Sequence, residues 1–370
     1  MSSPERSRAG LRELLATFHD RGSRVVRFVA IGAALGIGAA GIGVAVPSSS
    51  APSQVAVEEA GLPKAASELP ASGPAQAEAQ PVRTSQAEQD LGDGTTLAAW
   101  EMKDGVKEFH LNVAPMQWQT KPGGRTFDAM AINGHIPAPT IRVNEGDKVR
   151  FVVKNDMPQD TSIHWHGMVL PNDQDGVPGL TQAPIEPGQT YTYEWKAVST
   201  GTHWYHSHMH GDQEGRGLYG SLEIVPALGD IPADRDYRII IGDGPLGFVF
   251  NGKSFPGTTQ LRGNVGERIR IRLIGTGPEM IHSIHLHGGY FEVVAQDGHR
   301  KPIPERMDTL NVGVGQTYDL IWVPVRPGKW MIHCHIFSHS ETPNGMEGMV
   351  TIANIEPATV KLPSIPGVTG

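Results

Sequence analysis

The chain has 370 residues, of which 45 are Gly, 29 are Pro and only 19% are charged, a mix that suits turn-rich β structure better than long helices. Its formal net charge of −8, with no basic run in the part expected to fold, excludes nucleic acid as a partner. A single cysteine excludes an internal disulfide and argues against structural zinc, which normally takes two or more thiolates.

Residues 1–24 are polar and arginine-bearing, and 25–46 ("VVRFVAIGAALGIGAAGIGVAV") are apolar apart from Arg27. A positive lead before a Gly/Ala-rich apolar run reads as an export signal. The uninterrupted stretch 28–46 is also just long enough to span a bilayer, so a cleaved signal and an uncleaved membrane anchor are both compatible with it. Either one predicts an extracytoplasmic protein, secreted or anchored. Ala, Pro, Ser, Gln and Glu dominate 47–94, too little apolar surface to offset ordering entropy, which predicts a disordered linker.

From 95 to 354 the pattern alternates between Gly/Pro turns, as in "TIRVNEGDKVRFVVKN", "GQTYTYEWKAV", "RIRIRLIG" and "TYDLIWVPV", and reads as strands. An internal repeat lies within it. "GQTYTYEWKAVSTGTHWYHSH" (188–208) aligns without a gap on "GQTYDLIWVPVRPGKWMIHCH" (315–335). Upstream, "GDKVRF" (146–151) matches "GERIRI" (266–271), and each copy continues to a His-X-His-Gly, "HWHG" at 164 and "HLHG" at 285. The repeat predicts an all-β chain of two tandem copies, 95–226 and 227–354, with a short join near 226–236 and a tail over 355–370.

Of 16 histidines, 12 fall in the windows 164–166, 203–210, 282–287 and 333–339. On a strand, the rings of His-X-His share one face, roughly 7 Å apart. Four such pairs occur: His164/His166, His206/His208, His285/His287 and His333/His335. Eight imidazoles favour copper over calcium or magnesium. Cys334 lies between His333 and His335 and points to the opposite face, so it can bind a different ion while staying covalently joined to two cluster histidines. His339 lies close beyond it, and His282 precedes His285 by three; a His₂Cys set with a weak axial thioether is the signature of blue copper. Met346 is the axial candidate and Met349 the second. The first copy has Thr161, Ser207 and Asp212 where the second has His282, Cys334 and His339, so one thiolate copper per chain follows.

At these residues the chain resembles the multicopper oxidases, the laccase and metallo-oxidase family: "HWHG", "HWYHSH", "HSIHLHG" and "HCHIFSH" match its four copper motifs in order. The resemblance covers about 95–354 and is greatest to the two-domain, small-laccase subclass. It implies two cupredoxin domains and four coppers per chain. His164 and His285 would bind type 2 copper, His166, His206 and His335 one type 3 copper, and His208, His287 and His333 the other. His282, Cys334 and His339 would bind type 1 copper, with Met346 axial; "SETPNG" before Met346 is about two residues longer than the family spacing. The resemblance also implies a homotrimer whose clusters lie between neighbouring chains, and a join of about ten residues is short for a chain's own domains to meet around one cluster.

The activity so implied is oxidation of a phenolic or similar small donor, one electron at a time, with O₂ as acceptor. Asp175, in "NDQDGVPG", stands where the family carries an acidic residue near the cluster, and Glu341 is two past His339; both are candidates for proton transfer. His203 and His210 are read as supporting residues rather than ligands. A metallo-oxidase acting on Fe(II), Cu(I) or Mn(II) is the main alternative. Copper nitrite reductase is a lesser one, since that family carries its type 1 ligands in the first domain.

Overall fold

The computed structural model describes residues 84–358, the side chains of 210 and 211 excepted. The export or anchor segment 1–46, residues 47–83 of the expected linker and 359–370 of the expected tail lie outside the described residues. Among the described residues, no helix is long and apolar enough to cross a membrane.

Two β-sandwiches are present, in agreement with the all-β expectation. In the first, one sheet runs Ser85–Gln86, Trp100–Lys103, Val106–Gln119, Lys148–Asn155, Thr190–Lys196, with Thr126–Ile132 paired to the far half of Val106–Gln119. Its second sheet runs Gln89–Asp90, Thr96–Leu97, Ala138–Asn144, Tyr219–Val225, Gly201–His206, His164–His166. Alternation decides which side chains meet between them. Along Lys148–Asn155, Val149, Phe151 and Val153 turn inward and are fully buried. They join Phe109, Ile141 and Trp165 in one core, with the Phe151 and Trp165 rings 4.2 Å apart. Fully burying each such side chain contributes roughly 1.5–3 kcal/mol.

The second sandwich repeats the plan, with Arg235–Gly242, Ile269–Gly275, Thr317–Trp322 and Phe291–Gln296 central in one sheet. The other sheet runs Leu261–Asn264, Val350–Glu356, Gly328–Cys334, His282–Leu286, Thr309–Val312. Equivalent strands pair in equivalent register: His206 lies opposite His164 in the first copy, and His333 opposite His285 in the second.

Two expected boundaries move. Strand structure begins at Ser85, inside the expected linker, where Ser85 and Gln86 pair with Glu101 and Trp100; further on, the buried Asp93 accepts a hydrogen bond from the Arg238 backbone N–H at 2.8 Å. The last strand reaches Glu356, inside the expected tail, because Ile355 is buried and pairs with Gly328 and Gly263.

The two sandwiches are fastened by buried ion pairs. Arg238 grips Glu223 with two hydrogen bonds of 2.6 and 3.0 Å. Arg272, held by Asp236 of its own sandwich at 2.8 and 2.9 Å, reaches across to the Thr202 hydroxyl at 2.6 Å and lies 3.6 Å from the Glu223 carboxylate. Burial pushes the Glu223 carboxyl up, but the Arg238 and Arg272 guanidiniums outweigh it and hold the group well below the usual carboxylate range. Trp204 and Tyr219 of the first sandwich pack on Ile240 and Ile274 of the second.

Candidate metal centres

The thiol centre is built by three segments. Cys334 closes the Gly328–Cys334 strand opposite Ile284, so its side chain enters the core while His333 and His335 face away from it. His282 opens the neighbouring strand, and His339 lies on the helical turn Phe337–Ser340. The Cys334 Sγ is 3.8 Å from His282 Nδ1 and 3.5 Å from His339 Nδ1, and the two nitrogens are 3.1 Å apart. With metal–ligand bonds of about 2.0–2.3 Å, a trigonal ion would hold its donor atoms about 3.5 Å apart. The trio therefore fits one ion, and its buried His₂Cys chemistry fits copper.

Two residues that the sequence did not signal hold the trio. Asp243 accepts from His282 Nε2 at 3.1 Å and from the backbone N–H groups of Glu279 and Met280 at 3.3 and 3.0 Å. Burial would lower the His282 pKa, but Asp243 and Cys334 outweigh it and raise it to about 9. The Phe248 ring stacks on His339 with centroids 3.9 Å apart.

The thioether positions depart from expectation. Met346 is half-exposed on a two-stranded hairpin, Glu341–Thr342 with Gly345–Met346, whereas a weak axial ligand needs a site closed to water. Met349 is fully buried in the cluster that contains Cys334. Its carbonyl accepts from the Cys334 N–H at 3.0 Å, and its N–H donates to the His339 carbonyl at 2.8 Å. Glu341 is exposed on the same hairpin and, among the described residues, makes no hydrogen bond to a candidate ligand.

In the first sandwich, the equivalent place is filled by hydrogen bonds. Gln213 Oε1 accepts from Ser207 Oγ at 2.6 Å and from Thr161 Oγ1 at 2.9 Å, and Gln213 is fully buried. Asp212, which the repeat aligned with His339, instead pairs with Arg216 at the surface, 3.1 Å away.

The eight strand histidines form two quartets. In the first sandwich, the His164 ring centroid lies 5.6, 5.4 and 5.4 Å from those of His166, His206 and His208. In the second, His285 lies 4.9, 5.7 and 5.6 Å from His287, His333 and His335. Among the described residues, every close ring pair between these eight histidines stays within one quartet. His208, His287 and His335 are exposed, so each quartet opens to the surface.

Outer contacts aim these rings. His164 Nδ1 donates to the Asp175 carbonyl at 2.8 Å and lies 3.5 Å from its carboxylate. His285 Nδ1 meets the Asp308 carbonyl at 2.9 Å and the Thr309 hydroxyl at 3.0 Å. His206 Nδ1 meets the Glu214 carboxylate at 3.0 Å, and the repeat aligns Glu214 with Glu341. Such partners fix ring orientation and raise ligand basicity. Burial and the neighbouring rings of His206 and His164 lower the His166 pKa to about 4, so it is neutral and free to ligate near pH 7. His203 is buried and bonds the Thr200 carbonyl at 3.2 Å, while His210 begins the helix His210–Gly215.

Comparison with known proteins agrees with this geometry. The first sandwich matches the family described as multicopper oxidase over residues 113–228, and the second matches the same description over 232–354. Copper resistance protein A of Pseudomonas syringae pv. tomato is 50% identical over 117 residues, 32% of this chain and 19% of that protein. Laccase-2 of Botryotinia fuckeliana is 31% identical over 291 residues, 65% of this chain and 48% of that protein. The chain spans between about a fifth and a half of the length of the curated relatives it matches. The crystal structure of the blue copper oxidase from Nitrosomonas europaea is similar at a TM-score of 0.62 and 36% identity, over 67% of this chain and 85% of that one. Fold, paired histidine motifs and both family matches agree: the chain belongs to the multicopper oxidases.

Proposed function

We propose that this chain is a laccase-type oxidase that takes single electrons from a small donor at the Cys334 centre and delivers them to O₂ at a cluster of three coppers. The observation that supports it most is the alternation at 333–335: a buried thiol among two imidazoles, with its two sequence neighbours in a histidine quartet on the other side of the strand. Bound copper supplies one-electron redox chemistry, and four ions match the four electrons that turn O₂ into two waters.

In this assignment His282, Cys334 and His339 hold the type 1 ion, with Met349 rather than Met346 as the axial thioether. His164 and His285 hold type 2 copper, His166, His206 and His335 one type 3 ion, and His208, His287 and His333 the other. Because the quartets open separately at the surface, a quartet of one copy meets the other quartet of its neighbour, in a homotrimer. Asp175 keeps a carboxylate at the edge of His164 and supplies protons there. The chain works outside the cytoplasm, exported by its apolar N-terminal segment.

A metal-ion donor is the second reading, favoured by the exposed Glu279 carboxylate and Met280 thioether just before His282. Copper nitrite reductase is disfavoured by Ser207 in the first copy and by the eight paired histidines. Copper-loaded protein should be blue, carry about four coppers per chain and take up O₂ with a phenol. Colourless protein that takes up no O₂ with a phenol or Fe(II) contradicts the reading.

A further inference from the structure

A cavity of about 450 Å³ opens beside His339, and the first sandwich builds one wall of it. The strands Val106–Gln119 and Thr126–Ile132 run into a hairpin that carries Lys121, Arg125 and Phe127 to the cavity. This hairpin is pinned to the second sandwich at three points. Trp118 Nε1 donates to the Gly252 carbonyl at 2.6 Å, Lys253 Nζ to the Gln119 carbonyl at 2.7 Å, and the Ser254 N–H to the Thr120 carbonyl at 2.9 Å. Phe248, the ring stacked on His339, lines the opposite wall.

The charges there run against those of the chain. Lys121 and Arg125 face a single carboxylate, Glu347, which Lys121 already holds at 2.5 Å. Arg125 stacks over Phe127 with its guanidinium carbon 4.3 Å from the ring centroid and, among the described residues, pairs with no carboxylate. One positive charge is therefore left over in a protein of net charge −8. A metal cation approaching His339 by this route is repelled and finds no free carboxylate. An aromatic anion finds a guanidinium for its charge and rings for its face, in a volume within the usual range for small-ligand sites.

We propose that this cavity binds a monoanionic aromatic donor, a phenol bearing a carboxylate, and that Arg125 selects its charge. The inference rests on the oxidase reading for what the bound molecule does. Each donor gives up one electron and its hydroxyl proton to become an aryloxyl radical. Four donors together supply the four electrons and four protons that convert one O₂ to two waters.

The test has two arms on the full chain. Benzoate, a redox-inert probe, is titrated calorimetrically into metal-free and copper-loaded protein, with methyl benzoate as its neutral counterpart. Benzoate should bind more tightly than the ester, Arg125→Ala should weaken it about fivefold, about 1 kcal/mol, and Arg125→Lys should restore most of the loss. In the second arm, 4-hydroxy-3-methoxybenzoate and its methyl ester are compared as donors. The acid-to-ester ratio of kcat/KM should fall about fivefold in Arg125→Ala, through KM, and should decline as salt is raised. Equal binding of benzoate and its ester, or an acid-to-ester ratio untouched by Arg125→Ala, overturns the proposal. The first arm needs no copper: benzoate held by Arg125 in a protein that never turns blue keeps the site and removes the oxidase reading.

Discussion

His282 is held on both sides, by Asp243 at Nε2 and by the Cys334–His339 pair at Nδ1, whereas the axial position depends on which thioether is enclosed. Met349→Leu is expected to keep the fold, since the swap nearly conserves volume. It should raise the reduction potential of the blue centre by on the order of 60 mV, a tenfold shift for one electron. Met346→Leu should leave potential and colour as they are; redox titration of the two variants decides between them. Asp175→Asn is expected to slow O₂ reduction at least tenfold while the blue absorption stays intact, and single-turnover reoxidation checks it. The paired histidines and the thiol were legible because spacing on a strand fixes the face each side chain takes. Asp243, Phe248 and Glu214 were not legible: two reach their histidines from other strands or turns, and Glu214 from a short helix whose counterpart in the second copy carries the exposed Glu341 just past its end.

Between His339 and Met349 the chain does more than lengthen. The insert "SETPNG" folds into the Glu341–Met346 hairpin, and Gly348 then returns the backbone beneath His339. Gly348 has φ +84°, and a Cβ built on it would lie 2.2 Å from the His339 carbonyl oxygen. Gly348→Ala therefore both strains the backbone and displaces His339, a ligand in the proposed assignment. It should destabilise the protein by about 1–3 kcal/mol and weaken the blue absorption, checked by thermal unfolding and visible spectra of the loaded variant. Spacing counts residues along a loop and favours Met346; it does not show that six of them, Glu341–Met346, fold into a hairpin.

Across the whole molecule, the repeat made both sandwiches and their equivalent registers readable from sequence. The buried ion pairs that lock them together were not readable, because arginine at alternate positions such as Arg238, Arg270 and Arg272 looks like an exposed strand face. Removing one partner of such a pair leaves an uncompensated charge, so Glu223→Gln should cost about 3–5 kcal/mol in denaturant unfolding. Glu223 is held below its unfolded value near 4.5, so its stabilisation is present above that pH and is lost as pH falls through the folded value. The variant should lack that part of the acid dependence. In the proposed assembly the locked sandwiches keep the two quartets of one chain apart, and a complete cluster draws on a second copy.

Native mass spectrometry of copper-loaded protein tests that claim most directly, because it reads copper number and assembly state together. The expected result is a trimer carrying about four coppers per chain, together with dissociated single chains that retain one. Single chains holding four coppers, or trimers holding only one per chain, contradict it.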